Sequence, residues 1–336
     1  MQNRRVWTVW AALLAALLCV GLLGGCAQEA APSAATPSPE PAQDQPEISP
    51  AAGSAMAEQR TVPLYFRMQG EALLARETRT LRIPYDKQPE AVIIEALIDG
   101  PSASLLDLVG VFNAGTRVSV SASGSTLTVI LSRSFLDTPS DAPANWESDA
   151  AWRAEVLLRR RLALLSIVNA ITESTQYTAV QLLVRETNDL ESAGVRVPLS
   201  TFTEEVDDET ALLGPVTRDE ASLLTHHNTA QAILESWRAR DFERMYRFVA
   251  QMDGDRPAES EFLLLLAAMP GSLSEYSLSP GSVSADGQTA ILTADITRSD
   301  EGGQWRLENY PLCLTLENGL WKIPYATLLR MLEATQ

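Results

Sequence analysis

From Val62 onward the chain alternates between apolar and polar positions, then switches to helical spacing. "VPLYFR" at 62–67 and "LLARETRTLRI" at 73–83 read as two extended runs. "KQPEAVIIEALIDGP" at 87–101 changes period: Ile93, Ile94, Leu97 and Ile98 fall on one helical face. Pro89 suits the first turn of that helix, and Gly100-Pro101 stop it. "TRVSVSASGSTLTVILS" at 116–132 predicts two strands about a Ser123-Gly124 turn. A long helix follows from about Ser148 to Thr175, with Leu157, Leu158, Leu164, Leu165, Val168 and Ile171 within one arc. Arg161 falls inside that arc and reads as an arginine that snorkels or pairs at the edge of the core. "TAVQLLVRE" at 178–186 closes the block as a strand. Helices layered on sheet in this order give an α+β fold.

A second block begins near His227. "NTAQAILESWRARDFERMYRFV" sets Ala230, Ile233, Leu234 and Trp237 on one face, breaks at Asp241, and resumes with Met245, Tyr246 and Val249. "SEFLLLLAAM" at 260–269 adds a helix. Extended runs then cover 273–284, 288–298, 303–317 and 320–324, with Asp286-Gly287 and Asn318-Gly319 as hairpin turns. Between the blocks, 200–225 is acidic. Glu204, Glu205, Asp207, Asp208 and Glu209 lack the alternating spacing and loop glycine of a calcium hand, so the segment reads as a solvated linker.

The first 60 residues follow a different logic. Arg4 and Arg5 precede an apolar stretch from Val6 to Leu23, then Gly24-Gly25-Cys26. A basic start, an apolar run and small residues at a cleavage point make an export signal over residues 1–25. Leu23-Gly24-Gly25-Cys26 resembles the lipobox of bacterial lipoproteins, which implies lipid attachment at Cys26 and a protein tethered to the extracytoplasmic face of the bacterial cell membrane. The stretch is also just long enough to span a bilayer uncleaved, a reading that leaves the Gly-Gly-Cys placement unexplained. Residues 26–60 contain six prolines and no aromatic, so they cannot bury enough apolar surface to fold and form a tether. Fully extended, it reaches on the order of 100 Å.

Composition narrows the chemistry. The formal charge of −17 becomes −19 once Arg4 and Arg5 are removed, which repels nucleic acid and anionic lipid headgroups. Of three cysteines, Cys19 lies in the signal and Cys26 is the lipid site. Cys313 alone remains in the folded part, without an internal disulfide partner, and reads as a half-buried structural thiol. His226 and His227 are adjacent, so they cannot mimic a zinc pair one helical turn apart, and they sit where a helix begins. No G-x-S-x-G, H-E-x-x-H, G-x-x-x-x-G-K or S-x-x-K occurs. Glu95 and Asp99 are one turn apart on a helix that needs a polar face. The aromatics Trp237, Tyr246, Trp305, Trp321 and Tyr325 fill a core or line a pocket. These residues point to no catalytic group, metal or cofactor.

Six stretches of the first block share a resemblance: "LYF" at 64–66, Arg79-Thr80, "EALIDGP" at 95–101, "AGTRVSV" at 114–120, "LTVILSRSF" at 127–135 and "LALLSIVNAIT" at 162–172. Together they resemble the GerMN domain of sporulation and spore-germination lipoproteins, over residues 61–199. Ala114 stands where the family usually has proline and Glu186 where it usually has glycine. The resemblance implies a domain similar to the ring-building motifs of envelope assemblies. It implies a non-enzymatic scaffold or regulator in sporulation, germination or cell-wall assembly, with an envelope protein as partner. Residues 226–336, helices first and a curved sheet ending in "ENGLWKIPY", resemble the nuclear transport factor two-like cone fold. A second, degenerate GerMN copy ranks below it, since only the hairpin "SVSADGQTAILTADITRS" echoes the first block. The alternative function is a cell-wall ligand-binding module or enzyme acting through the C-terminal cone.

Overall fold

The first two extended runs pair in antiparallel register as β1 (Ala57–Met68) and β2 (Leu74–Pro84), from Ala57 opposite Pro84 to Arg67 opposite Leu74. Residues 62–68 of β1 are buried on both faces, which explains why this run holds aliphatic and aromatic residues at successive positions. In the computed structural model the described residues are 57–189, 192–251, 254–300 and 303–334; all belong to one compact unit, Ala51–Gln336. The signal segment, Cys26 and the tether through residue 56 lie outside them. Residues 57–60, read as the end of the tether, are strand, because Thr61 and its predecessors find a ladder partner in 80–84.

The helix α1 (Pro89–Asp99) has proline in its first turn and buries Ile93, Ile94, Ala96 and Leu97. Gly100 ends it at φ 94°, a conformation open to glycine. After the short β3 (Leu108–Val109), which pairs with β1, come β4 (Val118–Ser123) and β5 (Thr126–Leu131). The helix α2 (Ala150–Ser174) is capped by Asp149, whose carboxylate accepts from the backbone N–H groups of Ala151 and Trp152. It carries the chain across to β6 (Ala179–Arg185), which runs parallel to β5. β7 (Gly194–Arg196) and β8 (Val216–Thr217) both pair with β6. One small sheet was expected; there are two, ordered β2-β1-β3 and β4-β5-β6-β7, the latter with β8 added on β6. Arg161 is exposed. The neighbouring Arg160 is the one that snorkels, donating to the Leu136 carbonyl at 2.7 Å.

The C-terminal body starts with α3 (His226–Ala239), capped by Thr225 and buried along Ala230, Ile233, Leu234 and Trp237. Arg240 adopts a left-handed conformation and Asp241 caps the short α4 (Phe242–Arg247), which accounts for the break seen in the sequence. Then come α5 (Glu259–Ala268), β9 (Ser272–Leu278), β10 (Ser282–Val283), β11 (Thr289–Asp300), β12 (Gly303–Glu317), β13 (Leu320–Lys322) and α6 (Tyr325–Glu333). The sheet is antiparallel, ordered β10-β11-β12-β13 with β9 also on β11, and a bulge between Ala294 and Ile296 bends it. The final helix α6 escaped the sequence reading, although Leu328, Met331 and Leu332 bury one face of it.

The segment 200–225 is not a free connector. Phe202, Leu213 and Leu224 are buried, and Leu199 and Leu213 bond the backbone of Ala211 and Val197. Buried Asn169 of α2 reads both backbone groups of Asp219, donating to its carbonyl at 3.1 Å and accepting from its N–H at 3.0 Å. The acids lie on the exposed part of this loop, from Glu204 to Glu209. Composition saw the charge but not the apolar anchors placed on either side of it.

The two bodies meet at the β1–β2 turn. Gly70 turns at φ 77°, and a side chain there would come within 2.8 Å of the Arg247 guanidinium. Glu71, 5% exposed, takes two bonds of 2.6 Å from Arg244. The Leu74 N–H donates to Ser222 and the Leu74 carbonyl accepts from Leu224, both at 2.7 Å. Lys322, 2% exposed, donates to Asp107 at 2.7 Å and to the Arg247 carbonyl. Burial pushes the Lys322 ammonium below its usual value, and Asp107 only partly restores it.

Proteolytic nicking within 203–211 should leave both fragments associated in size-exclusion chromatography and melting in one transition, because both flanks are tied down; separation would refute the joint. Asp107→Ala should cost about 3 kcal/mol in denaturant unfolding, since it removes the carboxylate bonded to a buried ammonium and leaves it the Arg247 carbonyl and the charge of Glu317. The double variant Asp107→Leu/Lys322→Met should lie within about 1 kcal/mol of the parent.

Candidate functional site

Strand alternation sends Leu74, Arg76 and Thr78 to one face of β2. Tyr65 of β1 sits directly opposite Arg76 in the register. Glu173, in the last turn of α2, reaches the same place and meets three donors. The Tyr65 hydroxyl donates to it, Arg218 donates at 2.8 Å, and Arg76 lies at 3.0 Å. Arg218 is positioned by the Asn169–Asp219 bonds just described. Three residues from three segments thus converge on one carboxylate.

These groups form the floor of a cleft of about 410 Å³ between the two bodies. Leu223, Leu224, Val283, Leu316 and Trp321 supply its apolar walls. The β12–β13 turn closes one end, with Asn318 at φ 52° and Gly319 at φ 83°. A side chain at Gly319 would come within 2.4 Å of the Arg76 carbonyl, so only glycine lets the turn rest on β2. His226 stands at the rim, edge-on to Trp321 with ring centroids 5.7 Å apart, its Nε2 within 3.1 Å of the Pro280 carbonyl.

The electrostatics of the floor are those of a binding surface. Burial works to raise the Glu173 carboxyl, but the Tyr65 and Arg218 hydrogen bonds and the charges of Arg76 and Arg218 together hold it below the usual carboxylate range. Tyr65 is pushed up to about 12, first by burial and then by its bond to the carboxylate. At neutral pH Glu173 therefore stays ionised and engaged by donors, and Tyr65 stays protonated. Two guanidiniums against one carboxylate leave the floor cationic, and the Arg76 side chain is 53% exposed to the cleft.

The residues singled out from sequence are dispersed. Glu95 pairs with Lys87 at 2.8 Å on α1, and Asp99 is exposed. His226 and His227 open α3, and only His226 touches the cleft. Cys313, expected to be half buried, is exposed on β12, because Leu312 and Leu314 take the inner face. Glu204 pairs with Arg153 at 3.6 Å, and among the described residues no cluster of three or more His, Cys, Asp or Glu could hold a metal ion. Of the five aromatics, Trp237 is buried against Arg298. Tyr246 and Tyr325 flank buried Phe262 at 5.1 and 6.2 Å. Trp305 also stacks with Arg298, whose guanidinium carbon lies 5.2 Å from its ring centroid. Only Trp321 turns to the cleft. The void beside Arg298 and Trp237 measures about 10 Å³, room for no more than one water. Arg76, Arg218, Tyr65 and Glu173 had no sequence signal as a set, since they are brought together from positions up to 153 residues apart (65 to 218).

Residues 63–189 match the family model described as Germane: Sporulation and spore germination. Among solved structures, the tandem GerMN domains of the sporulation protein GerM from Bacillus subtilis align at 16% identity and a TM-score of 0.31, over 52% of this chain and 50% of that one. The chain thus spans about half of that structure. The first GerMN domain of the same protein aligns at 16% identity and a TM-score of 0.24, over 41% of this chain and 93% of that one. An LEH-like epoxide hydrolase from M. tuberculosis aligns at 12% identity and a TM-score of 0.22, over 33% of this chain and 95% of that one. No curated protein matches the sequence. The family match identifies residues 63–189 of this chain as a Germane domain.

Proposed function

We propose that this protein is anchored by a lipid on Cys26 to the extracytoplasmic face of the membrane. There it serves as a non-enzymatic scaffold or regulator of an envelope assembly in sporulation, germination or cell-wall construction. The observation that carries the scaffold reading is the open edge of β4. It ends the β4-β5-β6-β7 order, and among the described residues no strand pairs with its outer side. Ser121, Ala122 and Ser123 along it are exposed. A strand edge of this kind accepts an extended segment of a partner through backbone hydrogen bonds. The anchor reading rests on Leu23-Gly24-Gly25-Cys26; among the described residues no helix is long and apolar enough to cross a membrane.

The C-terminal body is proposed to be a nuclear transport factor two-like cone that supports the Germane domain. An enzyme or ligand-binding module within the cone has less to stand on, because Trp237, Arg298 and Leu332 leave a void of only about 10 Å³ there.

Metabolic labelling with a fatty-acid analogue tests the anchor: Cys26→Ala should abolish the label and leave an uncleaved precursor, and undiminished label would remove it from the proposal. Crosslinking capture of the anchored protein tests the scaffold. Ala122→Pro, which removes an outward N–H because the hydrogen-bonded positions facing β5 are 117, 119, 121 and 123, should weaken capture of an envelope protein by roughly tenfold with the fold intact. Turnover of muropeptides by the purified protein, lost on changing one carboxylate, would replace the scaffold by an enzyme.

A further inference from the structure

We infer that the cleft between the two bodies is a binding site for a small amphipathic anion, a monocarboxylate with a ring or acyl body. The inference is independent of the scaffold reading, because it concerns a different surface. Its volume of about 410 Å³ falls within the range of small-molecule sites. Its lining has the composition of such sites: a continuous apolar wall and a few convergent polar groups.

The sign of the ligand's charge follows from the floor. Arg76 and Arg218 share Glu173, leaving one positive charge uncompensated by that carboxylate. Glu220 approaches Arg218 at 3.5 Å from the solvent side and is 79% exposed, so it screens weakly. Arg76 meets Glu173 through one nitrogen and lines the cleft with a half-exposed side chain, whose remaining N–H donors suit a carboxylate. In a chain of formal charge −17, a cationic floor of this kind is a local inversion of the protein's own field.

The shape of the ligand follows from the wall. Trp321 offers an indole whose tilt is set by the edge-on His226 ring, with Leu316, Leu223 and Val283 around it. An apolar or ring-shaped body can lie on this wall while its anionic group meets Arg76. The site is also preorganised. Glu173 fixes both arginines and the Tyr65 hydroxyl before any ligand arrives, and Gly319 holds the β12–β13 turn against β2. Rigid donors at a prepared position reduce the ordering that binding requires. Because Tyr65, Arg76 and Glu173 belong to the Germane domain and Val283, Leu316 and Trp321 to the C-terminal body, the ligand would touch both.

The probe is 8-anilinonaphthalene-1-sulfonate, an amphipathic monoanion whose fluorescence reports transfer from water to an apolar wall. The folded protein should bind it at one saturable site and quench Trp321 on binding. Arg76→Gln should weaken binding by roughly tenfold, the loss expected for one charge-assisted contact, with the melting temperature unchanged. Trp321→Leu should weaken it as well, and Arg330→Gln, on α6 outside the cleft, should not. Competition by decanoate in preference to decyl phosphate assigns a carboxylate; the reverse order overturns that choice of anion. The proposal as a whole falls if neutral N-phenyl-1-naphthylamine binds as tightly as the sulfonate, if Arg76→Gln binds like the parent, or if no saturable site exists.

Discussion

A carboxylate in a tight turn, Glu71, is buried in the other half of the molecule with both oxygens held by Arg244. A lone buried carboxylate would be costly, so the turn that carries Glu71 cannot easily give up the half that carries Arg244. Around this pair the remaining contacts take their places: Gly70 against Arg247, Leu74 between Ser222 and Leu224, and Lys322 beneath Asp107. The pair adds little net stability by itself, since its bonds mainly offset the cost of taking the Glu71 carboxylate out of water. What it supplies is a fixed register between the Germane domain and the C-terminal sheet. The cleft depends on that register, because its floor and its wall come from different sides of the joint.

The elements themselves were largely legible. Pro89 and Gly100 marked α1, Asp241 marked the break between α3 and α4, and Asn318-Gly319 marked the β12–β13 turn, because each of these acts through its own backbone. The family was legible in motifs that describe a core: "LYF", "EALIDGP" and "LALLSIVNAIT" supply the buried Leu64, Phe66, Leu97, Ile167 and Ile171. What escaped was whatever depends on the partner of a residue. Tyr65 was read as part of a strand motif, and its hydroxyl role needed Glu173, more than 100 residues away. The 200–225 segment was read from its acids, while its behaviour is set by Phe202, Leu213 and Leu224. Arg160 and Arg161 differ by one helical position, enough to exchange a buried edge for solvent, and periodicity alone placed the wrong one inside.

A Germane domain joined in this way differs from a bead on a string. The α2 helix serves both halves: Ser166 donates to the Tyr65 carbonyl, Asn169 fixes the loop that carries Arg218, and Glu173 gathers the cleft floor. One helix face therefore links the core of the family domain to the surface it shares with its neighbour. A displacement of the C-terminal body has a direct physical route, through Gly319 and Arg76, to the strand β2.

The burial of Lys322 has a consequence for how the molecule meets chemical reagents. The sequence contains only two lysines; one is sealed in the joint at 2% exposure. The other, Lys87, is held above its usual pKa by its hydrogen bond and proximity to Glu95. Burial thus withholds Lys322 from amine reagents and leaves exposed Lys87 as the one lysine they reach. Exposed Cys313 on β12 offers thiol reagents a separate address in the C-terminal sheet.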